Sequence, residues 1–126
     1  MKIATIIAQV LMGLVFVVFG SNAFLNFIHA PLPPGPGGEF AKLLSESHYG
    51  SFVGGVQVAG GALLLVNRFV PLGLTLLGPV ICNILLFHSL LSHPGWQAGA
   101  VMAILWIFLV FRYKKNFAGI FEAKAL

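Results

Sequence analysis

The sequence predicts an all-α integral membrane protein, a four-helix bundle with both ends on the cytoplasmic side. Three observations lead there. Of the 126 residues, 59% are hydrophobic and 8% charged, far from the roughly 45–50% and about 25% of soluble domains. Uncharged apolar runs recur along the chain, several near the length of about 20 residues that crosses a hydrocarbon core as a helix. The cations gather at the ends of those runs. A surface facing lipid needs no polar cover, which a water-soluble domain of this size would need in quantity. The length suits one transmembrane domain, residues 1–126, with no room for a separate catalytic domain.

The first span is expected at about residues 3–27, an apolar run interrupted by Gln9 and then by Ser21 and Asn22. A secretory signal is the competing reading, with Lys2 as its charged start and Ser21-Asn22-Ala23 as a small-residue cleavage site. The apolar run exceeds the usual 7–15 residues of such a signal, which favours a retained span. The stretch from Ala30 to Gly38 holds four prolines and three glycines. Proline lacks the amide hydrogen a helix requires, so this stretch is a loop, placed on the outer side. Glu39 to His48 follows with Phe40, Leu43 and Leu44 at helical spacing and Glu39, Lys42 and Glu46 for the other face. That pattern predicts a short amphipathic helix on the membrane surface.

The second span is expected at 49–66 and is crowded with small residues, among them the pairs Gly50/Gly54 and Gly55/Ala59. Small residues four apart let helix backbones approach closely where no hydrophobic force acts between helices. Asn67-Arg68-Phe69-Val70-Pro71 reads as a tight turn, and 72–91 as the third span, kinked at Gly78-Pro79. Ser92-His93-Pro94-Gly95 is the next turn and 96–111 the fourth span, with Trp96 and Tyr113 at the two headgroup levels. Four spans place Lys2, Arg68, Arg112, Lys114, Lys115 and Lys124 on one face and only Lys42 on the other. Lysine and arginine in short loops stay in the cytoplasm, which sets the orientation as N-in and C-in. The same placement argues against nucleic acid as a partner, since the cluster Arg112, Lys114 and Lys115 marks a membrane end rather than an exposed binding face.

In this topology all four histidines fall on the outer side, and Asn22, Asn26, Gln57, Asn83 and His88 lie in the outer half or near the middle of the spans. Amides and imidazoles are costly in hydrocarbon unless partnered. The five are therefore expected to form an interior polar pocket that opens outward. Such a cluster serves either to join helices by hydrogen bonds or to bind a small polar head such as a quinone ring or lipid headgroup. In the second case His88 is the proton carrier, because imidazole changes charge near neutrality. A metal site is disfavoured. His88 and His93 are five apart, about 140° around an ideal helix, and share no face. No carboxylate lies in any span, which disfavours paired-carboxylate catalysis and a carboxylate proton relay. Cys82 is the one cysteine and reads as a small packing residue, and dithiol chemistry within this chain is excluded.

The run Val53-Gly54-Gly55-Val56-Gln57-Val58-Ala59-Gly60-Gly61-Ala62-Leu63-Leu64-Leu65, with the following Asn67-Arg68-Phe69-Val70-Pro71-Leu72, resembles the second and third spans of the DoxX family. The likeness extends to Asn83-Ile84-Leu85-Leu86-Phe87-His88 and to Gly13-Leu14-Val15-Phe16-Val17-Val18-Phe19-Gly20. It implies a small, usually bacterial, four-helix protein of the cytoplasmic membrane. Some members are described as subunits of quinone-linked oxidoreductases, including thiosulfate:quinone oxidoreductase, and others are associated with thiol and oxidative-stress systems. The family often has Glu in its Gly-Gly-x-Glu stretch where this chain has Gln57. A neutral amide exchanges no proton at ordinary pH, so an acid/base role does not transfer to that position.

The resemblance thus implies an accessory subunit with a redox protein as partner, while the apolar composition adds the lipid bilayer and the glycine-rich faces a second copy of the chain. Any quinone would be a visiting cofactor, since no flavin motif, cluster motif or cysteine pair is present to hold electrons. A lipid- or partner-binding scaffold without redox chemistry is the rival reading. A small-molecule transporter is a weaker one, because four short spans leave little room for alternating access.

Overall fold

Apolar runs bounded by proline, glycine and asparagine become helices here, and no strand forms among the described residues. The computed structural model describes residues 2–29 and 31–126. Met1, in the expected single domain, and Ala30, at the start of the expected loop, lie outside them. The order is α1 (Lys2–Leu25), α2 (Pro36–Glu46), α3 (His48–Leu65), α4 (Val70–Leu86), a π-helical turn (Phe87–Leu91), α5 (Trp96–Arg112), α6 (Lys114–Phe117) and a closing 3₁₀ turn (Ala118–Phe121). By length and composition α1 and the continuous segment Val70–Leu91 can each cross a membrane. The α5 and α6 pair would make a third span but is bent by 84° between Arg112 and Lys114.

Helix α1 ends at Leu25, two residues before the end of the expected span, because the chain turns left-handed at Asn26 (φ 50°). Asparagine tolerates that conformation better than most residues. The amphipathic helix α2 begins three residues earlier than its apolar spacing suggests. Pro36 occupies its first turn, where a missing amide hydrogen costs nothing. Pro71 plays the same part in α4, which begins at Val70 rather than Leu72. Within α4 the helix runs on through Pro79, which leaves the Thr75 carbonyl without its usual amide partner, and gives way to a π turn at Phe87.

Glycines decide how the helices meet. Helix α3 lies between α1 and α4. A Cβ added at Gly61 would fall 2.8 Å from the Gly13 carbonyl oxygen, and one at Gly54 2.7 Å from that of Gly20. The paired positions run in opposite chain directions, so α1 and α3 are antiparallel. On its other side Gly60 of α3 faces Gly73 and Leu77 of α4. The contacts therefore use Gly54, Gly60 and Gly61. In the expected pair Gly55/Ala59, Ala59 is exposed and Gly55 has open space up to the Phe24 ring. A face of small residues can be read from spacing, but which of two glycine faces meets a neighbour depends on helix rotation.

Helix α5 packs on α4, with Trp106 against Gly78 and Gly99 against Ile84. The Trp106 indole N–H donates to the Leu74 carbonyl at 2.8 Å. Met12, Leu64, Leu74, Leu77 and Leu109 are fully buried, and these lie toward the end of the molecule that holds Lys2 and Arg112. Cys82, expected as a packing residue, is exposed. An apolar run does not say which of its members face a neighbour. Ile3, Ile7, Val10 and Leu14 on α1 and Val101, Ile104 and Phe111 on α5 are also exposed.

Candidate functional site

The five polar residues singled out above do not come together in one interior cluster. Asn22 and Asn26 finish α1. The Asn22 side chain accepts from the Ile28 N–H at 2.7 Å and donates to the Ile28 carbonyl at 3.4 Å, while the Asn26 N–H donates to the Asn22 carbonyl at 3.0 Å. Asn83, exposed, donates through its amide to the Pro79 carbonyl at 3.0 Å, one turn back in its own helix. Gln57 rests its Cβ over Gly20 on α1. Asn22 and Asn83 have nearer partners: short amide side chains readily bond backbone groups of their own stretch of chain.

His88 does line a cavity, with different companions. At the end opposite Lys2 and Arg112, an open groove of about 420 Å³ is bounded by Leu85, His88, Ser89, His93 and Trp96. The π turn and the extended Ser92 that follows it carry His93 back onto the groove. The ideal-helix argument that separated His88 from His93 therefore does not apply, since the helix has ended before His93. His88 Nδ1 lies 3.0 Å from the Ser92 carbonyl oxygen. A carbonyl only accepts, so Nδ1 bears the proton and Nε2 of the neutral ring is left as an acceptor. Gly95, in a left-handed conformation (φ 89°), leaves the backbone room beside the imidazole, 3.3 Å from its Cε1 at the nearest Cβ position. Phe87 stands edge-on to His88 with centroids 5.0 Å apart and meets Phe40 of α2 at 5.8 Å. The covering helix α2 thus props the element that bears His88. Among the described residues no three metal-ligating side chains converge.

A second polar site, at the opposite end, was not anticipated. Gln9 of α1, 3% exposed, donates to Asn67 Oδ1 at 3.0 Å and to the Leu64 carbonyl at 3.4 Å, and accepts from the Tyr113 hydroxyl. One amide thereby ties α1 to the ends of α3 and α5. Arg112 Nε donates to Thr5 Oγ1 at 2.9 Å. Lys2, Thr5, Ile6, Gln9, Asn67, Arg112 and Tyr113 surround a cavity of about 210 Å³. The signal for it lay in the sequence: Gln9 is the only amide in the first half of its apolar run, at a depth comparable to that of the turn containing Asn67.

No family model, curated protein or solved structure matches the chain.

Proposed function

We propose that the chain is a four-helix protein of the bacterial cytoplasmic membrane, N-in and C-in, that serves as an accessory subunit of a quinone-linked oxidoreductase complex. The single observation that carries the ligand assignment is the groove in which His88, Ser89, His93 and Trp96 converge beside Leu85. A quinone head needs a flat apolar wall and hydrogen-bonding groups at its carbonyls, and these side chains are of the types that meet both needs. With its proton held on Nδ1, His88 offers Nε2 to a quinol hydroxyl, while Ser89 can donate to a quinone carbonyl. Electrons would remain on the quinone and on a partner protein.

Two helices of spanning length support the membrane assignment. So does the way α3, less apolar than they are, is held between α1 and α4 and would be carried across with them. The likeness of residues 53–65 and of the turn after them to the DoxX family points the same way. A non-redox scaffold that binds lipid or partner helices is the second reading, favoured by the exposed apolar faces of α1 and α5.

Native mass spectra of the protein extracted gently from its own membrane distinguish the two. The accessory-subunit reading expects retained quinone or a redox partner, with quinone lost in His88→Ala while thermal stability is kept. Retention of phospholipid alone would overturn it in favour of the scaffold, and the same spectrum reports whether the chain is a homodimer.

A further inference from the structure

We infer that the cavity bounded by Lys2, Asn67 and Arg112, at the end away from the histidine groove, is a binding site for a phosphate group. The inference is independent of the quinone reading. It rests on which hydrogen-bonding capacity the network consumes and which it leaves. The side-chain oxygens are engaged: Gln9 Oε1 accepts from Tyr113, Asn67 Oδ1 accepts from Gln9 Nε2 at 3.0 Å, and Thr5 Oγ1 accepts from Arg112 Nε at 2.9 Å. What remains for a ligand is a set of donors. The Asn67 amide must turn its NH₂ away from Gln9, Arg112 keeps its two terminal nitrogens, and Lys2 has no acceptor of its own among the described residues. An amide, a guanidinium and an ammonium with no carboxylate among the lining residues suit an anion, and the guanidinium fork matches phosphate oxygens in particular.

No carboxylate among the lining residues competes for these donors. The one ion pair among the described residues, Lys42 with Glu46, lies on α2, far from this cavity. Gln9, nearly fully buried, holds the orientation of Asn67 from behind. The cavity, about 210 Å³, is ample for a phosphate of five heavy atoms. Two sources offer that chemistry: the headgroup of an anionic phospholipid, or free phosphate.

The full-length protein in phosphatidylcholine nanodiscs tests the site, with phosphatidylglycerol added to the lipid or inorganic phosphate to the buffer. Retained lipid is read by native mass spectrometry and bound phosphate by the rise in unfolding temperature. At least one probe should bind, and Lys2→Gln and Arg112→Gln should each weaken it about tenfold, the loss expected for one charge-assisted hydrogen bond. Lys42→Gln should leave binding unchanged. A response to phosphatidylglycerol assigns the site to the lipid, and a response to phosphate assigns it to the free anion. No response to either probe, or a response unaltered in both variants, overturns the proposal. Lys2→Gln keeps the test sound even if Arg112→Gln loosens the Thr5 contact.

Discussion

At the end of the molecule that holds Lys2 and Arg112, the helices close around Met12, Leu64, Leu74 and Leu109, all fully buried, and Gln9 joins α1, α3 and α5 by hydrogen bonds. At the other end the polar side chains serve their own stretches of backbone, and a groove twice as large lies open beside His88. Side chains at the first end bond between elements and fix the packing. Those at the second bond within elements and leave surface for something else. The ties between helices and the larger open groove thus lie at opposite ends, and substitutions should separate their effects on stability.

The largest expected effect is at the helix contact on which the closed end depends. Gly61→Ile places its Cβ 2.8 Å from the Gly13 carbonyl oxygen, against backbone that cannot yield. Unfolding in detergent micelles should show a loss of about 3 kcal/mol, the upper range for overpacking, whereas Gly55→Ala should match the parent. Equal effects at the two positions would mean that α3 is rotated from the orientation described.

Gln9→Leu comes next. It leaves Tyr113 and Asn67 without a partner and should cost about 1–3 kcal/mol. Asn83→Leu, at the open end, should stay within about 0.5 kcal/mol of the parent, as exposed substitutions usually do. A cost at Asn83 equal to that at Gln9 would break the comparison.

At the end of α1, Asn26→Ala should destabilise by about 1 kcal/mol, because alanine is strained at a φ of 50°. Asn26→Gly should recover the loss in the same unfolding measurement. The smallest effect is expected from Glu46→Ala. Its partner Lys42 is 4.0 Å away and both side chains are 63% exposed, so a change below about 0.5 kcal/mol should be seen.

The helices were legible because the chain marks their limits chemically. The prolines at 36 and 71 and the turns at Asn67 and Gly95 mark the start of α2, the break between α3 and α4 and the start of α5, and the apolar runs between them admit no strand alternation. The lateral arrangement was not legible. Nothing in the composition of α3 says that Gly54 and Gly61 rather than Gly55 and Ala59 meet α1, since both pairs are small. The polar residues were misjudged for a related reason. Depth along an axis can be counted from sequence, but Asn83 shows that a matching depth does not give a matching direction. His93 was set apart from His88 by assuming an ideal helix where a π turn and an extended residue intervene. Gln9 was visible as an oddity in an apolar run, and only its three partners reveal it as a tie between helices.

The 84° bend after Arg112 has a further consequence for a chain that spans a membrane. Helix α5 has 17 residues, about 26 Å at 1.5 Å per residue, a few ångströms short of a hydrocarbon layer about 30 Å thick. With the following segment turned nearly at right angles, with Ile120 and Phe121 exposed on it, the helix can neither lengthen nor slide to make up the difference. In the four-span arrangement proposed above, the lipid would adapt instead, thinning around this side of the protein. A short α5 locked at one end would therefore draw the protein toward thin membrane regions and toward neighbours that share the same deficit.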